Sequence, residues 1–177
     1  MFDGIDDELR QMDEREQESP ELKRAVQLED PISALELGTP ITVRSSTSVQ
    51  EAFNLMAEND IGCLLVTDDD GKLLGIITER DMLRKACGAC EKMAELHVGN
   101  YMTESPDTLQ SEDPMAFALN RMCEHHYRHV PIVDDELAAT GVVSMRDVVR
   151  HVGLCFHKEI SNLPPEPVHR MRRQIAG

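Results

Sequence analysis

Gly75-Ile76-Ile77-Thr78-Glu79-Arg80-Asp81 is written a second time as Gly141-Val142-Val143-Ser144-Met145-Arg146-Asp147. Each copy is a glycine, two β-branched apolar residues, a hydroxyl, two variable residues and an aspartate. The apolar pair ends a buried strand, and the hydroxyl stands where that strand gives way to a helix. The aspartates fall at or near the start of helices expected over 81–86 and 147–152. Two chemistries fit this spacing. In one, hydroxyl and carboxylate cap the helix and satisfy N–H groups of its first turn. In the other, the helix N-terminus and the hydroxyl hold a phosphate, while the carboxylate accepts the hydroxyls of a ribose, as an acidic residue does in dinucleotide folds. A single copy leaves the two balanced; two copies in matching context favour a nucleotide.

Outward from the motif the likeness continues. A shift of 66 residues carries the first half onto the second without a gap, with identities at Pro40/Pro106, Ser45/Ser111, Ala52/Ala118, Met56/Met122, Asp68/Asp134 and Arg84/Arg150 among others. This is an internal duplication. Each unit opens with a short strand around Pro40-Ile-Thr-Val. Ser48 then caps a helix predicted to carry Val49, Phe53 and Met56 on one face. Ile61 to Val66 reads as a buried strand, Asp68-Asp69-Asp70-Gly71-Lys72 as a hairpin turn, and Leu73 to Ile77 as the return strand.

The fold class is α/β (α+β), with two repeats of strand–helix–strand–strand–helix. One such unit is too small to bury its sheet well alone, so the two are expected to pack sheet to sheet about a pseudo-twofold axis. The boundaries expected are repeat 1 over 31–86, a linker over 87–96 and repeat 2 over 97–152. They are flanked by a polar extension over 1–30 and a basic, proline-containing tail over 153–177. Within the extension, Ser19-Pro20 starts a helix with Leu22, Ala25, Val26 and Leu28 as its apolar stripe.

Composition narrows the function classes. The net charge of −15 repels a phosphate backbone, and three per cent aromatic residues leave few stacking platforms, so nucleic-acid binding is not expected. A small anionic ligand therefore needs a local basic pocket. No apolar run approaches the ~20 residues that span a bilayer, and the acidic start lacks the features of a signal peptide. Five cysteines at irregular spacing suit reduced thiols. The expectation is a cytoplasmic protein without a membrane segment.

Cys87-Gly-Ala-Cys90 is the spacing of half a zinc site, but no second pair completes it, and no metal is expected. His125-His126-Tyr127-Arg128-His129 is the densest histidine cluster. Read as an approaching strand, it puts at most one or two members on a shared face. No nucleophile elbow, P-loop or paired-carboxylate cleft is present, so neither catalysis nor a catalytic cofactor is expected.

The doubled Gly-apolar-apolar-[Thr/Ser]-x-x-Asp, with Leu64-Leu-Val-Thr-Asp and Val130-Pro-Ile-Val-Asp at the same distance upstream, resembles a tandem CBS-domain protein, a Bateman module, over about residues 31–152. The resemblance implies two clefts, usually a homodimer, and adenosine-containing ligands: AMP, ADP, ATP, S-adenosylmethionine or NAD-type molecules. It implies a regulatory part acting on a partner protein rather than a catalyst. Position by position, one cleft would join Val142, Ser144 and Asp147 to Ile41, Ile61, Gly62 and Cys63. The other would join Ile76, Thr78 and Asp81 to Asp107, Tyr127, Arg128 and His129. The aspartate would hold ribose, the hydroxyl the proximal phosphate, and the strand edge would read adenine.

In adenylate-sensing members of the family, basic residues at such positions contact phosphates. Arg128 and His129, standing where the other cleft has Gly62 and Cys63, thus mark the cleft for a phosphorylated nucleotide. Arg80 and Arg146 either reach across to phosphates or pair with nearby acids. Asp107 either repels phosphate or bridges to Arg128. The contrasting expectation is an interaction scaffold whose clefts are vestigial.

Overall fold

The computed structural model describes residues 29–86 and 92–155. The helix expected from Ser19, the Cys87 and Cys90 pair and residues 156–177 of the basic tail lie outside the described residues; 153–155, expected to open the tail, continue the last helix. In the first repeat, β1 (Thr42–Val43) is followed by α1 (Val49–Asn59), β2 (Cys63–Thr67), β3 (Leu73–Thr78) and the short α2 (Glu79–Asp81), which runs on into a π-helical turn over Met82–Ala86. After a 3₁₀ turn over Val98–Asn100 come β4 (Thr103–Glu104), α3 (Met115–His125), β5 (His129–Val133), β6 (Ala139–Ser144) and α4 (Met145–Cys155). The first sheet has the order β1-β2-β3-β4, with β1 parallel to β2 and the other pairs antiparallel. The second pairs β5 with β6, and Leu109 bridges Ile132 in parallel where β1 stands in the first repeat.

The duplication is visible in detail. Cys63 pairs with Thr78 as His129 pairs with Ser144, and the register shifts after Val66 in one hairpin and after Ile132 in the other. Both turns are tied by their first aspartate: Asp68 Oδ1 accepts the N–H groups of Asp70 and Lys72, and Asp134 Oδ1 those of Glu136 and Ala138. The fourth turn position needs a positive φ. Gly71 adopts it at 84°, and its counterpart Leu137 at 64°, where a side chain costs roughly 1–2 kcal/mol.

The halves are held together by exchange. Ile32 and Leu35 lie in the core of the second repeat with Met115, Met122, Val130 and Val143. Val98 lies in the core of the first with Val49, Leu64 and Ile77, and Met93 and Leu96 pack against it. The same exchange satisfies helix ends, whose first N–H groups have no partner in the helix. The Val49 N–H donates to the Leu96 carbonyl at 2.8 Å, and the Met115 N–H to the Asp30 carbonyl at 2.9 Å. Between the repeats, Cys63, Leu65 and Ile76 meet Ala139 and Val142 face to face. The hairpin tips run past each other, with the Leu73 N–H on the Leu137 carbonyl at 2.9 Å.

Several details depart from the periodicity. Phe53 is half exposed, because the buried stripe of α1 is Val49, Ala52 and Met56 and runs to one side of it. The motif helices start two residues before the aspartates. Met93 and Leu96, inside the stretch expected to be a linker, are packing residues. The histidine cluster is not a strand: His125 ends α3, His126 is its left-handed cap at φ 59°, and only His129 belongs to β5.

Gly75, which opens the first motif, lies under the crossing β4: a Cβ there would stand 2.7 Å from both the Thr103 carbonyl oxygen and Met102 Sδ. At Gly141 the nearest atom is Leu37 Cδ1, at 3.4 Å. Gly75→Ala is therefore expected to destabilise the fold by about 1–3 kcal/mol, and Gly141→Ala by less than about 0.5 kcal/mol. Equal urea midpoints for the two variants would refute the close approach of β4.

Candidate functional site

Both motifs fold into the same local device. Thr78 is extended, at φ −120°, and caps α2: its hydroxyl accepts the Asp81 N–H at 3.2 Å and donates to Asp81 Oδ2 at 2.7 Å. Asp81 Oδ2 also accepts the Thr78 N–H at 3.2 Å, completing a capping box. Ser144 and Asp147 repeat the bonds, with the Ser144 N–H on Asp147 Oδ2 at 2.9 Å and the Asp147 N–H on the Ser144 hydroxyl at 3.3 Å. Capping is thus present in both copies, and the hydroxyls are turned toward their own aspartates. The strand edge is fixed beside each motif: the Glu79 N–H donates to the Gly62 carbonyl at 3.1 Å, and the Met145 N–H to the Arg128 carbonyl at 2.9 Å.

The first motif opens onto a cavity of about 430 Å³ between the repeats, a volume within the roughly 300–1,000 Å³ of small-molecule sites. Ile76, Thr78, Arg80 and Asp81 line one side and Asp107, Tyr127, Arg128 and His129 the other. All the residues that the sequence groups into this cleft are therefore brought to one place. Thr103, Ser105, His125 and His126 join them; the two histidines belong to the cluster that the sequence singles out, whereas Thr103 and Ser105 carry no signal of their own. Gly62, grouped by sequence with the opposite cleft, also lines this cavity, because His129 reaches over it. A Cβ on Gly62 would lie 3.3 Å from His129 Cε1 and Nε2.

Charges across the cavity are organised by repeat 2. Asp107 Oδ2 accepts the Tyr127 hydroxyl at 2.8 Å and Arg121 Nη1 at 3.2 Å, so its ion pair is with Arg121 and not with Arg128. The Tyr127 hydroxyl bond, with Arg121 and His125 nearby, holds the Asp107 carboxyl below its usual range. Burial and the Asp107 carboxylate push the Tyr127 phenol up to about 12. The ring of Tyr127 stacks on His125, with centroids 5.6 Å apart. Arg80 crosses between the repeats, donating from Nη1 to the His126 carbonyl at 3.3 Å. Burial, then Arg128, lowers the His129 pKa from its ordinary value, with Asp147 opposing.

The residues grouped around the second motif are set differently. Asp147 Oδ1 is held by Arg150 at 3.1 Å. Cys63 is buried, its thiol pushed up to about 12, and Val142 packs against it. Ile41 and Ile61 pack against the first repeat's core, while Arg146 is exposed and does not line the cavity. A further cavity of about 400 Å³ lies between Leu35, Leu37, Gln110 and the β5–β6 turn at Asp134 and Asp135, reaching the second motif only at its first residue, Gly141. Among the described residues, no group of three or more metal-ligating side chains converges, and no helix is long and apolar enough to cross a membrane.

The CBS-domain pattern matches residues 36–88 and 98–154, more than half of the chain. The chain belongs to the CBS-domain family. Its CBS pair is similar to part of the meiotically up-regulated gene 70 protein of Schizosaccharomyces pombe, 30% identical over 152 residues, or 81% of this chain and 19% of the relative. An uncharacterized 17.7 kDa protein of Acidianus ambivalens is 32% identical over 108 residues, 61% of this chain and 64% of the relative. The chain thus spans less than two thirds of either. Among solved structures, the CBS domain pair of protein MJ0100, in complex with 5′-methylthioadenosine and S-adenosyl-L-methionine, is 28% identical with a TM-score of 0.63. That match covers 70% of this chain and 95% of the other.

In this CBS pair, Tyr127→Phe removes the main influence on the Asp107 carboxyl. Its pKa is expected to rise toward the ordinary aspartate value, read by carbon-13 NMR titration; an unmoved titration would exclude the Tyr127–Asp107 bond.

Proposed function

We propose that this CBS pair is a regulatory, non-catalytic module that binds an adenine nucleotide in the cavity between its repeats. What carries the proposal is the meeting, in one cavity of about 430 Å³, of the Thr78–Asp81 capping box from one repeat with Arg128 and His129 from the other. Asp81 would accept the ribose hydroxyls, and the strand edge near Asp107 and Tyr127 would face the base. Arg80, Arg128 and His129 would face the phosphates, where a guanidinium fork suits phosphate oxygens. Thr78, committed to Asp81, would orient the carboxylate and turn its hydroxyl to a phosphate only by releasing that bond. The adenosyl ligands of the MJ0100 pair support the class of ligand. AMP, ADP or ATP fit this cavity's two arginines better than S-adenosylmethionine does, and NAD remains within the same class.

A ligand gripping both repeats favours whichever packing presents both edges best, and a partner protein that distinguishes those packings would read the signal. Leu83 and Val149 occupy equivalent positions after the two motifs and are 70% and 62% exposed, with Leu154 at 68% nearby in the chain. Apolar side chains so placed support a homodimer through these helices. The free thiols of Cys63 and Cys123 fit a reducing, cytoplasmic setting. The apolar packing around Cys63 favours a weaker second cleft, and in the scaffold alternative both clefts would be vestigial.

Two experiments test this. AMP at a hundred times its dissociation constant should stabilise the wild-type chain by ~2.7 kcal/mol, and Asp81→Ala should lose that gain; indifference of the wild type to AMP, ATP, NAD and S-adenosylmethionine would leave only the scaffold. Leu83→Lys with Val149→Lys should convert a dimer to a monomer by light scattering. A wild type already monomeric at micromolar concentration would remove the dimer.

A further inference from the structure

His129 lies where the repeats meet and belongs to both. Its ring lines the cavity with Thr78 and Asp81, over a Gly62 whose missing side chain leaves room for it. Its backbone pairs with Ser144, the hydroxyl of the other motif. Charged groups face it from the elements packed around it. Arg128 adjoins it in the chain, and Asp147 acts on it from the start of α4. Glu79, from α2, brings Oε2 to 3.7 Å from the same Gly62 position. Arg80, Asp81, Asp107, His125 and His126 line the rest of the cavity.

Burial, then Arg128, shifts the imidazole toward its neutral form, with Asp147 opposing. A phosphate dianion brought beside the ring would favour its charged form. The phosphate would then join Asp147 in opposing Arg128 at the ring. An uncharged adenosyl ligand offers no such gain. The corresponding residue of the other cleft is Cys63, a buried thiol that cannot supply positive charge.

Building on the nucleotide reading above, we propose that His129 makes this cavity select a phosphorylated adenosyl ligand over an uncharged one, by taking up a proton as the phosphate enters. The selectivity is full below the pKa of the ring without ligand and is lost as pH rises through the higher pKa of the ring beside a phosphate.

The test is titration calorimetry on the full chain with AMP and with 5′-methylthioadenosine, each in two buffers of different ionisation enthalpy. With AMP the wild type should take up a fraction of a proton, and with 5′-methylthioadenosine none. His129→Gln, polar but not titratable, should abolish the uptake, whereas His97→Gln, outside the cavity lining, should keep it. The wild-type advantage over H129Q for AMP should grow about fivefold between about pH 8.5 and pH 6.5, a ratio in which the phosphate's own titration cancels. AMP binding with equal heats in both buffers, or uptake that survives in H129Q, overturns the inference and leaves the nucleotide reading intact. No heat from either ligand overturns both.

Discussion

Each repeat leaves two debts that it cannot settle within itself, and the fold depends on how they are met. A strand–helix–strand–strand–helix unit has helix N–H groups without partners and a sheet with too little to cover it. Here the segment leading into each repeat settles both for the other. The Asp30 and Leu96 carbonyls receive the first N–H groups of α3 and α1, and Ile32 and Val98 fill the opposite cores. Neither half is complete without the other's leader. The pseudo-twofold relation follows from that reciprocity, and so does a seam between the repeats at which two sequence-distant edges face each other.

That seam explains why a helix cap can also be a ligand group. In a capping box the carboxylate is held by backbone and hydroxyl donors, so its direction is set before anything binds. Preorganisation of this kind lowers the ordering cost of binding. On the other side of the seam, Asp107 is held by Tyr127 and Arg121 in the same manner. The two clefts started as copies and have diverged at all four strand-edge positions, Ile41/Asp107, Ile61/Tyr127, Gly62/Arg128 and Cys63/His129. His129 stands opposite Cys63 in the pseudo-symmetry, and Arg128 opposite Gly62. Asp147 is held by Arg150 at the start of α4. One side of the seam has become charged and open; the other is packed with thiol and valine.

The sequence alone determined the duplication, the element order and the capping positions, because those rest on local chemistry; the residues gathered around the first motif were legible only through the resemblance to the CBS family. Periodicity, turn preferences and an ungapped register are properties of neighbours in the chain, and Thr78, Asp81, Gly71 and Ser48 behave as their neighbours require. Only the tertiary structure decided the exchange of leaders, the exposure of Phe53, the partner of Asp107 and the side of the seam on which Gly62 acts. Each of those depends on a group brought in from the other half of the chain: Leu96 on α1, Arg121 and Tyr127 on Asp107, the His129 ring on Gly62. Pattern within a repeat carries no information about which atoms of the other repeat will arrive beside it, so packing between the two had to decide.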